Sequence, residues 1–249
     1  MIISISSAGR YGPEFYARQG PGSLRSARIV AALVAELVAP RSVVDVGCGL
    51  GGWLLAFNEA GARELRGLDG NHVDRSKLYI DPVCFTAVDL AQPFRIAGRF
   101  DMAVCVEVAE HLPHARSRDL VDTLCDAAPV VLFSSALPGQ GGSGHVNEQW
   151  PEYWRQRFHA HGFHTINAIR PLIREDPRVL WWYRQNLVLY ASDAGLAAHP
   201  LLRDSTASDQ PELEWVHVNM LRAAGVRNLM RHLRPALVSA IRRRLGRSA

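Results

Sequence analysis

A chain of 249 residues, 48% hydrophobic and with a formal charge of +4, is long enough for one large α/β domain plus an appendage, and its composition is that of an ordinary globular protein. Its four cysteines, Cys48, Cys84, Cys105 and Cys125, form no C-x-x-C pair and read as small hydrophobes in a reducing compartment, not as a disulfide framework. The N-terminus lacks a basic leader with a long apolar core, and no window offers ~18 uninterrupted apolar residues, so a cytoplasmic protein without signal peptide or membrane span is expected.

Residues 11–22 are turn-rich, with Phe15 and Tyr16 as exposed apolar candidates. Ser23 can cap a helix running to about Val38, because Ile29, Val30, Leu33, Val34 and Leu37 recur at helical spacing, and Pro40 ends it. This cap region, residues 1–40, leads straight into the stretch that organises the chain, S-V-V-D-V-G-C-G-L-G-G-W at 42–53. Val43, Val44 and Val46 form a β-branched run suited to a strand buried on both faces, broken by the charge of Asp45. Four glycines follow, then the apolar helical run Trp53 to Phe57. Strand, glycine turn and helix in this order make a nucleotide cradle: the glycines let a ligand approach the backbone, and the helix start offers unpaired N–H groups. Gly47-x-Gly49-x-x-Gly52 fits a dinucleotide fingerprint, while Asp45-x-Gly47-x-Gly49-x-Gly51 fits the D-x-G-x-G-x-G pattern of S-adenosylmethionine (SAM) enzymes, so the turn alone leaves the cofactor open.

Leu65–Leu68 reads as a second strand ending at Asp69-Gly70, where a carboxylate can accept both hydroxyls of a ribose. Val83–Val88 is a third strand, ending at Asp89-Leu90, which offer an acceptor for an adenine amino group and an apolar contact for its ring. Met102–Val106 is the fourth, followed by Glu107-Val108-Ala109-Glu110-His111-Leu112 and a helix from about Ala115 to Ala127. Pro129–Ser134 is the fifth, followed by a polar glycine loop carrying His145-Val146-Asn147-Glu148-Gln149-Trp150. Pro151 suits the first turn of a helix ending at Gly162, and Phe163–Ile169 and Asn186–Ala191 read as a closing pair of strands. Strands alternating with helices, then a closing pair, describe an α/β doubly wound sheet.

Residues 193–214 read as a linker. Beyond Glu214 come eight arginines and no acidic residue, so residues 1–214 carry a formal −4 and the tail, residues 215–249, +8. Leu229, Leu233, Leu237, Ile241 and Leu245 recur at four-residue steps, describing a basic amphipathic helical appendage split at Pro235. It suits packing on the domain, an anionic partner or a membrane surface; nucleic acid is the less favoured partner.

V-V-D-V-G-C-G-L-G at 43–51, L-D-G at 68–70, D-L at 89–90 and F-D-M-A-V-C-V-E-V-A-E-H-L at 100–112 together resemble the successive motifs of class I SAM-dependent methyltransferases, over about residues 23–191. The resemblance implies a seven-stranded Rossmann-like sheet with an antiparallel C-terminal hairpin, and a SAM-binding domain over 41–192. It implies that Asp45, Glu107 and the turn Gly47, Cys48, Gly49 and Gly51 serve the methionine end, Asp69 and Gly70 the ribose, and Asp89 and Leu90 the adenine. Tyr16 is a further cofactor candidate from the cap. The segments 144–154 and 181–186 are similar to those of bacterial small-molecule methyltransferases, which implies a small-molecule acceptor such as a sugar or secondary metabolite, methylated on a hydroxyl, with nitrogen the less favoured atom.

An alcohol acceptor must lose its proton or bind a metal, since a neutral hydroxyl is a poor nucleophile. His111 and His145 are the candidate bases, although either imidazole can instead bond a carbonyl or cap a helix. Glu107, Glu110, His111 and His145 also resemble the divalent-metal site of small-RNA 2′-O-methyltransferases, which makes Mg²⁺ or Mn²⁺ a candidate cofactor and RNA the alternative acceptor. Trp150, Tyr153, Trp154, Trp181, Trp182 and Tyr183 are candidates for stacking on an acceptor or for an aromatic seam, and Arg184 and Gln185 for contacts to an anionic group. A NAD-dependent oxidoreductase is disfavoured, because there is no Tyr-x-x-x-Lys pair and Lys77 is the only lysine. A non-catalytic SAM-binding protein that docks through its basic tail is the remaining class.

Overall fold

The computed structural model describes residues 13–204 and 215–223. Seven strands, β1 (Ser42–Val46), β2 (Glu64–Asp69), β3 (Phe85–Ala87), β4 (Met102–Val106), β5 (Val130–Ser134), β6 (Phe163–Ile166) and β7 (Val188–Ser192), form one sheet in the order β3-β2-β1-β4-β5-β7-β6. The first five run parallel, and β7 lies antiparallel between β5 and β6. β4 and β5 are buried at every residue, as parallel strands covered on both faces must be, which explains their unbroken apolar sequence. The strand order reverses between β1 and β4, so the crevice for a ligand opens beyond the carboxyl ends of these two strands.

Helices α1 (Pro13–Val38) and α2 (Gly52–Glu59) cover one face, over a core including Val30, Val34, Leu54, Phe57, Met102 and Leu189. On the other face α3 (Ser117–Ala127) and α4 (Pro151–Ala160) pack over Leu120, Leu124, Phe133, Trp154, Phe158 and Tyr190. The rings of Phe158 and Tyr190 stack there with centroids 3.8 Å apart. Short helices α5 (Arg170–Ile173), α6 (Trp181–Asn186), α7 (Asp193–Ala198), α8 (Pro200–Asp204) and α9 (Val218–Ala223) complete the described elements.

Several boundaries depart from local expectation. α1 begins at Pro13, not at Ser23, and carries Pro21 inside it. Tertiary contact overrides the local breakers: Ser26 Oγ donates to Gly22 O and accepts from Leu180 N, and a Cβ on Gly22 would stand 3.3 Å from Leu180. β3 is shorter than Val83–Val88, because Asp81 caps a 3₁₀ turn over Pro82–Cys84. Asn186 belongs to α6 and not to the last strand. Residues 193–204, expected as the start of a linker, fold as α7 and α8; Ser192 caps α7, and Leu202 is fully buried beside α1. The remainder of that stretch to Glu214, and the expected helices of the arginine-rich tail from 224 onward, lie outside the described residues. Among the described residues no helix is long and apolar enough to cross a membrane.

Candidate functional site

The crevice is built first by the turn after β1. Gly47 N donates to Leu68 O at 2.7 Å and Cys48 N to the same oxygen at 3.2 Å, tying the turn to β2. Gly47 takes a left-handed φ of 80°, and a Cβ there would stand 2.3 Å from Val108 Cγ2. Gly51, with φ 82°, caps α2, and a Cβ on it would meet Ile80 Cγ1 at 2.9 Å. The side chains of Val108 and Ile80 already occupy these two points, so neither tolerates a Cβ. Cys48 is buried, and burial first, then the neighbouring Asp45 and Asp69, raises its thiol well above the ordinary range, so it packs and does not react.

Two carboxylates face this turn. Asp69, at the end of β2, accepts from Gly49 N at 2.7 Å and from Gly70 N at 2.6 Å, one bond to each oxygen. Burial raises its pKa, and these two amides and His72, whose Nε2 lies 3.5 Å away, oppose the rise. Each oxygen keeps a lone pair for a ribose hydroxyl. Asp45 is 2% exposed and its Oδ2 has no hydrogen-bond partner, so burial and the proximity of Asp69 push its pKa well up. A buried carboxylate oxygen without a donor, beside the glycine turn, suits the cationic methionine end of SAM.

The adenine candidates are placed at the same edge. Val88 N donates to Asp69 O, setting the segment after β3 beside Asp69. Asp89 is exposed and accepts from Ala91 N, whereas Leu90 is 9% exposed and packs in the core with Leu68 and Phe100. Tyr16 falls within α1, and its side chain is outside the described residues.

The other half of the site lies beyond β4 and β5. Glu107 follows β4 with a left-handed φ of 56°, and polar neighbours hold it. Its N–H donates to Ser134, its Oε1 accepts from Ser134 Oγ at 2.8 Å and Asn186 Nδ2 at 3.0 Å, and its Oε2 accepts from Gln140 Nε2 at 3.3 Å. Burial raises its pKa against these bonds. Gln185 extends the network: its Nε2 donates to Gln140 and Asn186, and its Oε1 accepts from His217 N. It is 1% exposed, so it is a strut and not the contact to an anionic group expected from sequence. Arg184 likewise donates to Arg174 O.

Glu110 sits one 3₁₀ turn further on, fully buried with both carboxylate oxygens lacking a hydrogen bond. Burial first, and then the nearby Glu107, push its pKa well up. The glycine loop is pinned across this point by Val146 N and Asn147 N, which both donate to Glu110 O. Asn147 Nδ2 adds bonds to Ala109 O and Ser117 Oγ. That pinning brings His145 against His111, ring centroids 4.8 Å apart and edge-on.

Glu110, His111 and His145 therefore each place a ligand atom within 4.8 Å of the others. One carboxylate with two unpaired oxygens and two imidazoles fit a divalent cation, or equally a proton on Glu110. Glu107 is not in the converging group, which reduces the expected set of four to three; its oxygens are taken up by Ser134, Gln140 and Asn186.

The aromatic candidates divide. Trp154 is buried against Phe133, Tyr183 is buried with its hydroxyl 2.8 Å from Ser23 Oγ, and Trp181 and Trp182 pack on each other. Tyr153 bonds His114 through its hydroxyl. Trp150, 46% exposed and one residue beyond the bond from Gln149 N to Ala136 O, stands at the rim. Residues that sequence reasoning did not single out are Ser134, Gln140, Asn186 and Glu148. Of these, Glu148 had a legible signal in its three-residue spacing from His145.

Comparison with known proteins agrees with this geometry. The sequence model described as a methyltransferase domain matches residues 16–175. A search of curated proteins finds no significant match. Among solved structures, a sugar N-methyltransferase from Streptoalloteichus superposes with a TM-score of 0.55 at 16% identity, over 77% of this chain and 98% of its own. A proposed O-methyltransferase from Nostoc punctiforme gives 0.53 at 18% identity, over 76% of this chain; the chain spans 64% of the length of that protein. A SAM-bound amino pentose methyltransferase from Micromonospora echinaspora gives 0.50 at 16% identity, over 71% and 96%. With the family model covering well over half of the sequence, and the glycine turn and two acidic positions assembled as such a fold requires, the chain belongs to the class I SAM-dependent methyltransferases.

Proposed function

We propose that this protein transfers the methyl group of SAM to a hydroxyl of a small molecule, a sugar or secondary metabolite, held at the end of β4 and β5. The observation that carries the reading is the convergence of His111 and His145 beside Glu110, in the segments that follow β4 and β5. SAM supplies a methyl group on a sulfonium, whose C–S bond breaks as the new O–CH₃ bond forms. The residues align and deprotonate: the turn and Asp69 hold the donor, and an imidazole takes the hydroxyl proton. Holding the reacting atoms in line at about 3–3.5 Å contributes several kcal/mol, and a positioned base a further ~10²–10⁴-fold. The Streptoalloteichus and Micromonospora proteins, named for a sugar and an amino pentose, support a small polar acceptor.

A divalent cation would be held by Glu110, His111 and His145, where it would polarise the acceptor oxygen. Two imidazoles and one carboxylate suit Mn²⁺ better than Mg²⁺, which prefers oxygen ligands. Exhaustive chelation separates the two forms of the reading: undiminished turnover leaves the imidazoles as bases and removes the metal.

The test is a panel of sugars, amino sugars, phenols and a short RNA incubated with methyl-¹³C SAM, read by S-adenosylhomocysteine release and by the ¹³C shift of the product methyl. An O-methyl product formed by the wild type and lost in H111A and H145A is the expected result. N-methylation only, or full activity in both variants, refutes it. Salt-sensitive methylation of the RNA would favour the RNA alternative.

A further inference from the structure

His145 is gripped from one side by a carboxylate. Its Nδ1 lies 2.9 Å from Glu148 Oε1, within the same loop. Glu148 is itself fixed: Gly141 N donates to Oε1 at 3.0 Å and Gly139 N to Oε2 at 2.8 Å. With both glycine amides donating to it, Glu148 meets His145 as a hydrogen-bond acceptor. An ionised carboxylate only accepts hydrogen bonds, so in the neutral imidazole the proton must sit on Nδ1 and the lone pair on Nε2. Gly142 lies directly against the Nε2 edge, and only a glycine fits there: a Cβ would stand 2.2 Å from Nε2. The other titratable groups at this point are Glu107, Glu110 and the His111 ring.

We propose that Glu148 is the positioning residue of the site, selecting the Nδ1–H tautomer of His145 so that Nε2 presents its lone pair to the acceptor or to a cation. The proposal rests on the reading of His145 as a working residue. It gives the loop sequence G-Q-G-G-S-G-H-V-N-E a physical purpose: two glycine amides hold the carboxylate, and a third glycine makes room for the imidazole. Outer carboxylates that orient a histidine typically contribute ~10–100-fold.

The experiment is long-range ¹H–¹⁵N correlation NMR on full-length protein labelled in histidine, with His145 assigned by its loss in H145Q. The wild type is expected to show a protonated Nδ1 and an unprotonated Nε2. E148A should lose that preference, E148D should restore it in part, and E148Q, which keeps an acceptor oxygen for one of the two glycine amides, controls for folding of the loop. Protonated Nε2 in the wild type, or an unchanged tautomer in both E148A and E148Q with S-adenosylhomocysteine binding intact, overturns the proposal. The activity of H145A tests the reading of the site separately, so the two failures are distinguishable. With the acceptor that the panel identifies, E148Q should lower kcat about 10–100-fold and leave KM for SAM unchanged.

Discussion

Replacing Gly47 with alanine puts the geometry of the turn to a quantitative test. Two costs are separable there. A non-glycine residue in the left-handed region costs about 1–2 kcal/mol, and Gly47 has φ 80°. The new Cβ would stand 2.3 Å from Val108 Cγ2 and 2.9 Å from Cγ1, and overpacking of this kind costs a further ~1–3 kcal/mol. The total, about 2–5 kcal/mol, corresponds for a chain of this size to a fall in Tm on the order of 6–15 °C. Trimming the neighbour relieves only the second cost. Val108 is 8% exposed, so V108A alone should destabilise by about 2 kcal/mol through lost burial and a small cavity. The double variant should then be less destabilised than the sum of the two by ~1–3 kcal/mol, leaving the backbone strain behind. Urea unfolding of the four proteins measures the cycle, and calorimetry with S-adenosylhomocysteine should show weakened binding in the single and double variants that carry G47A. Additivity within about 0.5 kcal/mol would refute the claim that Val108 is what forbids a side chain at the turn.

D69N keeps the size of the side chain but turns an NH₂ toward one of the two glycine amides that Asp69 accepts from; calorimetry should show a loss of S-adenosylhomocysteine affinity of about 10–100-fold. D45N should stabilise the ligand-free protein at neutral pH while weakening cofactor binding. Because the folded pKa of Asp45 is raised above 3.8, the folded state binds more protons than the unfolded state between these values, so its contribution to stability is lost as pH rises from acid to neutral. Denaturation across that range should show a shallower pH dependence in D45N than in the wild type, and identical slopes would count against a raised pKa for the buried Asp45. Removing residues 215–249 would strip the partner from Gln185 Oε1, the buried Met220 and the Trp215 ring under Arg174. About 3 kcal/mol of stability should go with them, measurable by thermal melting, and an unchanged Tm would mean that this segment merely rests on the domain.

The chain by itself determined the succession of strand, glycine turn and helix, the acidic residues closing the second and third strands, and the order of the motifs. Those features are local. A β-branched run, a left-handed glycine and a carboxylate one residue past a strand each express their physics within a few positions. The seven-stranded sheet and its antiparallel C-terminal hairpin followed from the family resemblance, and the structure bears them out.

Only the tertiary structure decided what meets at the acceptor end. His145 lies 34 positions from His111, and they touch because two loop amides bond the single carbonyl of Glu110. Glu107 is drawn out of the proposed metal set by Ser134, Gln140 and Asn186, residues from three different parts of the chain. Pro21 and two flanking glycines argue locally against a helix, yet α1 runs through them because Leu180, Tyr79 and Ser26 reward close approach. Hydrogen bonds and packing between distant segments outweigh local propensity by more than the ~1 kcal/mol at which that propensity operates, and no pattern along the chain records such bonds before it folds.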